Sequence, residues 1–189
     1  MKKVVLLLVC ASSLVFASAQ TKFGVKAGAN LANVTDDDGA KMKFGINGGV
    51  QASIGLGTMF SFAPELVYSS QGAKYDGDMS INLNYINLPL LLQYNNPSGF
   101  FAHTGPQVGL LMSAKAKVGS ESGDIKDQLN STDFSWAIGA GFATQSGFGF
   151  NARYNIGLSK LAKEDGAGSS KNSVIQFGLF YNFGGSEKK

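Results

Sequence analysis

The stretch Met42-Lys43-Phe44-Gly45-Ile46-Asn47-Gly48-Gly49-Val50-Gln51-Ala52-Ser53-Ile54-Gly55-Leu56 decides the fold. Met42, Phe44, Ile46, Gly48, Val50, Ala52, Ile54 and Leu56 fall on one set of alternate positions. Lys43, Gly45, Asn47, Gly49, Gln51, Ser53 and Gly55 fall on the other. Successive side chains of a strand point to opposite faces, so strict alternation over this length is a β-strand between two different environments.

The same pattern recurs along the chain. Phe23, Val25, Ala27, Ala29 and Leu31 share a face of a first strand, and Phe60, Phe62, Pro64, Leu66 and Tyr68 share one of a third. Ile86, Leu88, Leu90, Leu92 and Tyr94 mark a fourth. A fifth carries Phe100, Ala102, Thr104, Pro106, Val108, Leu110 and Met112. Phe134, Trp136, Ile138, Ala140 and Phe142 define a sixth, and Phe148, Phe150, Ala152, Tyr154, Ile156 and Leu158 a seventh. Ile175, Phe177, Leu179, Tyr181 and Phe183 close an eighth. The expected architecture is all-β: an eight-stranded antiparallel up-and-down transmembrane β-barrel, an even count as bacterial single-chain barrels have.

The connections alternate in length. Val34–Lys41, Gly72–Ser80, Lys117–Asp133 and Lys160–Lys171 read as long, polar links. Gly57-Thr58, Asn95–Gly99 and Gln145-Ser146-Gly147 read as tight turns. Short periplasmic turns and longer extracellular loops give this rhythm. An even number of crossings then leaves both termini on the periplasmic side.

Residues 1–19 read as a signal peptide and residues 20–189 as the barrel domain. Lys2 and Lys3 precede an apolar run from Val4, and Ala17-Ser18-Ala19 supplies the small-residue cleavage pattern. That run is shorter than the roughly 20 residues a membrane-spanning helix needs. A lipoprotein signal acylated at Cys10 fits less well, because bulky Val9 precedes the cysteine. Cleavage after Ala19 removes Cys10, the single cysteine, and excludes disulfides and thiol chemistry from the mature chain. It also removes two lysines, taking the formal charge from +3 to +1, so no basic field points to nucleic acid. Charged residues make up 15% of the chain, against about 25% in ordinary soluble domains.

A water-soluble ligand-binding barrel also alternates, with its apolar face inward. Lipid is favoured here because the non-apolar face is mostly Gly, Ala, Ser, Asn and Gln, where a watered face would carry Lys and Glu. Aromatics also collect at strand ends: Phe23, Phe60, Tyr94, Phe100, Phe148 and Phe183 at one side, Phe44, Tyr68 and Trp136 at the other. Two such girdles flank the apolar band of an outer-membrane barrel.

The strand Tyr85-Ile86-Asn87-Leu88-Pro89-Leu90-Leu91-Leu92-Gln93-Tyr94 and the later Gly105-Pro106-Gln107-Val108-Gly109-Leu110-Leu111 resemble the porin-family, or PorT-like, outer-membrane β-barrel domain. Gly24–Leu31 and Asp133-Phe134 leading into Gly139–Phe142 extend the likeness over essentially the whole mature chain. The resemblance implies architecture and carries no chemistry. It implies assembly by barrel-assembly machinery, with Phe183 placed like the terminal aromatic that machinery reads, although Gly184–Lys189 extend past it. A role in protein secretion is also compatible with it.

Function is sought in the lumen and the loops. Counted from the short turns, Glu65 and Arg153 reach similar heights on opposite walls of the non-lipid face, with Gln51, Gln107 and Asn151 near that depth. The expectation is a Glu65–Arg153 ion pair within a hydrogen-bonded lumenal network that acts as a plug or gate, since an unpaired charge in so narrow a space would be costly. His103, the single histidine, falls on the lumen face without a Ser or carboxylate set around it, and reads as a hydrogen-bonded filler. Asp36-Asp37-Asp38-Gly39 lacks the remaining spacing of a calcium loop and reads as solvated loop. No cofactor and no metal are expected, and no catalytic residue is nominated. The reading is a non-enzymatic scaffold in contact with outer-membrane lipid and lipopolysaccharide, with a possible protein partner at the extracellular loops. A narrow passive pore comes second and a lipid-modifying enzyme third. Ser186-Glu187-Lys188-Lys189 is too short to be a peptidoglycan-binding domain.

Overall fold

A computed structural model describes residues 21–35, 39–163 and 170–183. The signal segment with Cys10, the Asp36-Asp37-Asp38 run, residues 164–169 of the Lys160–Lys171 link and Gly184–Lys189 lie outside the described residues. The elements are β1 (Thr21–Thr35), β2 (Lys41–Gly55), β3 (Phe60–Tyr75), β4 (Met79–Asn95), β5 (Phe100–Val118), the short β6 (Glu121–Asp124), a 3-10 turn at Lys126–Gln128, β7 (Thr132–Ala143), β8 (Phe148–Gly157) and β9 (Lys171–Phe183).

Each of the eight long strands pairs antiparallel with its sequence neighbour, and β5 pairs with β7 across the β6 excursion. The ring closes where the first strand meets the last: Val25 faces Tyr181 and Thr35 faces Lys171 over an unbroken register. Closure leaves the barrel wall without an edge, the short β6 excursion aside, which is what lets strands cross hydrocarbon with all backbone groups satisfied. No helix among the described residues is long and apolar enough to cross a membrane; the strands take that role.

The faces sort as the alternation requires. Leu179 is 71% exposed and Phe44 and Phe148 are each 63% exposed, within a belt of large apolar side chains around the outer wall. Their alternates, among them Asn30, Asn47, Ser69, Asn87, Asn155 and Asn172, are buried in the lumen. A soluble protein rarely exposes an apolar patch beyond a few hundred Å², so a continuous belt of this kind identifies lipid as its solvent.

Two of the expected long loops are corrected. Strands β3 and β4 run straight through Gly72–Ser80, pairing Gly72 with Asn82 and Tyr75 with Met79, and only Asp76-Gly77-Asp78 is left as a turn. Gly, Ala and Lys imitate loop chemistry there, yet Gly72 has φ +121° and lies so close to Ile81 that a Cβ would meet its carbonyl oxygen at 2.0 Å. The close pairing itself selects glycine. Likewise Lys117–Asp133 is folded: Lys115 to Val118 pair with Asp124 to Glu121, and the 3-10 turn follows. Leu129 then bridges to Ala162, tying this excursion to the β8–β9 link.

Candidate functional site

An eight-stranded barrel is just wide enough for side chains to fill, and here they fill it in layers of different chemistry. Glu65 on β3 projects inward opposite Gln51 of β2. Arg153 on β8 grips its carboxylate with both terminal nitrogens, Nη1 to Oε2 at 2.9 Å and Nη2 to Oε1 at 2.6 Å. Lys26 on β1 adds its ammonium to Oε2 at 2.8 Å. The remaining guanidinium donor, Nε, donates to Nε2 of His103 on β5 at 3.1 Å. These four side chains cross-tie four staves of the barrel, and the three charged ones are no more than 5% exposed.

The fork geometry matters as much as the charge. Two parallel N–H···O bonds from a planar guanidinium fix the orientation of a carboxylate more tightly than an ammonium can. Gly139 of β7 makes the arrangement possible, because a Cβ there would meet His103 Nε2 at 2.5 Å.

Of the five residues nominated from sequence, only Glu65 and Arg153 hydrogen-bond to each other, while Gln51 lies opposite Glu65 and lines the same vestibule as Asn151. Gln51 donates to Asn182 Oδ1 at 2.8 Å, and Gln107 donates to Ser135 Oγ at 3.0 Å. Asn151 is 8% exposed and its carboxamide has no hydrogen-bond partner among the described residues. Sequence reasoning missed Lys26, and it read His103 as a hydrogen-bonded filler without naming Arg153 as its partner. The signal for Lys26 was available: it shares the inward parity of Gly24 and Asn30, and its cross-strand partner Gly49 sits two residues from Gln51, the partner of Glu65. Contact between His103 and Arg153 depends on a reach across β7 that counting along single strands does not show.

Beneath this layer, toward the short turns, lies an open vestibule of about 590 Å³ whose walls include Gln51, Asn151, Asn182, Phe101, Phe180 and His103. Above it comes a layer of amides and hydroxyls. Asn30 donates to Ser69 Oγ at 2.9 Å, Asn47 donates to Asn30 Oδ1 at 2.7 Å, and Lys43 donates to the Gln71 carbonyl at 2.9 Å. At the long-loop end the lumen turns apolar: Val34, Ala73, Leu83, Tyr85, Leu111, Ala114 and Leu161 pack together, with Ile125 and Leu129 against them. Leu161, Ile125 and Leu129 come from the connections, so these segments fold inward over the mouth. Asn130 fastens them by donating to the carbonyls of Lys160 and Ala162. Among the described residues no three His, Cys, Asp or Glu side chains converge as a metal site would require.

Comparison with known proteins assigns the architecture. The family model for the outer membrane protein β-barrel domain matches residues 16–163. The chain belongs to that family. Among solved structures, Neisserial surface protein A superposes with a TM-score of 0.54 at 15% identity, covering 85% of this chain and 97% of that one. Ail, the attachment invasion locus protein of Yersinia pestis, gives 0.51 at 18% identity over 86% of this chain and 98% of that one. The outer membrane protein AlkL, solved in lipid bilayers, gives 0.44 at 13% identity over 89% and 94%. The superpositions on Neisserial surface protein A and Ail show a shared fold. No curated protein matches the sequence. Family and fold together place the chain in the bacterial outer membrane.

Proposed function

We propose that this outer-membrane protein is a closed, non-enzymatic scaffold that acts through its outer end. The observation that carries this reading is the double seal of the lumen. The Glu65–Arg153–Lys26 cluster with His103 blocks it at one level, and the Leu83–Tyr85–Leu161 cluster blocks it nearer the long loops. A solute would have to break buried, charge-assisted hydrogen bonds and then wet an apolar constriction. In this reading Glu65, Arg153 and Lys26 are a plug.

The outer end offers a surface suited to binding. Strands β3, β4 and β5 run to 16, 17 and 19 residues, where about 9–11 tilted residues cross the bilayer core, so they stand well clear of it. The β3–β4 and β5–β6 tips carry Lys74, Asp76, Asp78, Lys117, Glu121 and Asp124 on rigid hairpins, where recognition residues are commonly found. Lipopolysaccharide head groups and a protein at the cell surface are the partner classes this surface suits. Assembly would use the barrel-assembly machinery.

Planar-bilayer recording of the refolded chain, after heat-modifiable gel migration has shown a folded barrel, tests the reading. A silent membrane is expected. Reproducible conductance steps from the unmodified protein would replace the scaffold by a narrow pore.

A further inference from the structure

The plug leaves an electrostatic remainder. Lys26 and Arg153 carry two positive charges against the single carboxylate of Glu65. His103 adds none, because its Nε2 accepts a hydrogen bond from Arg153 Nε and so carries no proton. One positive charge is therefore uncompensated in an enclosed layer, where a lone charge interacts far more strongly than in water. Among the described residues Glu65 is the sole carboxylate on the vestibule wall and both its oxygens are engaged, while Lys22 stands toward the mouth.

Two side chains of the vestibule wall, His103 and Asn151, keep polar groups that no hydrogen bond among the described residues takes up. The neutral His103 tautomer places its proton on Nδ1, for which there is no acceptor among the described residues. Asn151, nine-tenths buried on the same wall, keeps an unpartnered carboxamide. Phe101 stacks on the His103 ring at 5.7 Å, and Phe180 meets Phe101 edge-on at 5.8 Å, giving an apolar wall beside the donors. Small-molecule sites combine this size, some 300–1,000 Å³, with apolar walls and a few convergent polar groups.

We propose that the vestibule binds a small organic carboxylate, held by His103 Nδ1–H and the Asn151 amide, with its apolar body against Phe101 and Phe180. The anion supplies the charge that the Lys26–Glu65–Arg153 layer lacks. The site needs a lumen closed above it and so rests on the scaffold reading. A barrel that stays silent in bilayers yet fails to bind overturns this inference alone.

Because His103 is the only histidine, ¹⁵N-histidine labelling gives a single imidazole to observe in the refolded barrel. Titration with benzoate should shift the His103 Nδ1 resonance saturably, whereas benzamide, its neutral counterpart, should not. Asn151→Ala should weaken benzoate about tenfold, the effect of losing one hydrogen bond to a charged group. Lys26→Met, which keeps the Glu65–Arg153 fork and cancels the surplus charge, should abolish the preference for benzoate over benzamide. Heat-modifiable migration confirms that each variant is folded. A flat benzoate titration, an equal response to benzamide, or folded variants that bind like the parent would each overturn the proposal.

Discussion

The two seals of the lumen close it by opposite chemistry. Near the short turns, three charges and an imidazole meet through bonds of 2.6–3.1 Å, each with a defined donor and acceptor. Near the long loops, seven buried side chains close the mouth, mainly by apolar packing. The first arrangement turns on Glu65, since removing that one carboxylate leaves two charges buried and unpaired. The second is graded, since apolar packing loses free energy roughly with the volume deleted. The ion cluster therefore fixes which staves face one another, and the apolar cluster fixes how firmly the outer mouth is shut.

The sharpest way to break the contrast is Glu65→Gln. It strands Lys26 and Arg153 together without a counter-ion, and a loss of about 3–5 kcal/mol is expected from a broken buried pair. Urea unfolding in lipid vesicles checks it, and a midpoint within error of the parent would mean the charges are solvated after all. Leu83→Ala acts on the other seal. Leu83 is fully buried, and a deletion of this size costs about 3 kcal/mol when the cavity cannot collapse. The same unfolding assay applies, and because the seals share no residue, this loss should add to that of Glu65→Gln. The smallest effect belongs to a third ion pair. Lys41 and Asp76 join across the β2–β3 rim with side chains 61% and 87% exposed. Lys41→Ala should change stability by less than about 0.5 kcal/mol, as exposed pairs do. A larger change would show that the rim is structurally coupled to the lumen.

How much of this was readable in the sequence depends on the range of the interaction. Alternation is local, so Phe44, Ile46 and Val50 identify their strand and its outward face without reference to anything else. Glu65 and Arg153 could be paired by counting from the turns, because inward parity and height are nearly enough to specify a narrow lumen. Lys26 was within reach of the same counting carried across β2, whereas the partner of His103 needed the reach of two side chains across β7. The rim was misread for a different reason. Gly72, Ala73 and Lys74 have turn-like composition, yet the strand continues through them because its partner β4 supplies the hydrogen bonds. The inward fold of Leu129 and Leu161 is likewise a tertiary effect, since an apolar residue inside a polar link carries no period to read.

Two seals stand in series along the lumen, and single-channel recording of three folded variants tests that most directly. Arg153→Ala alone empties the lower seal but leaves Lys26 on Glu65, and it should stay silent because the apolar mouth is intact. Leu83→Ser with Leu161→Ser loosens the mouth and should also stay silent behind the ion cluster. All three substitutions together should give reproducible conductance steps. Steps from Arg153→Ala alone or from the mouth variant alone would contradict the account, and so would silence from the folded combination.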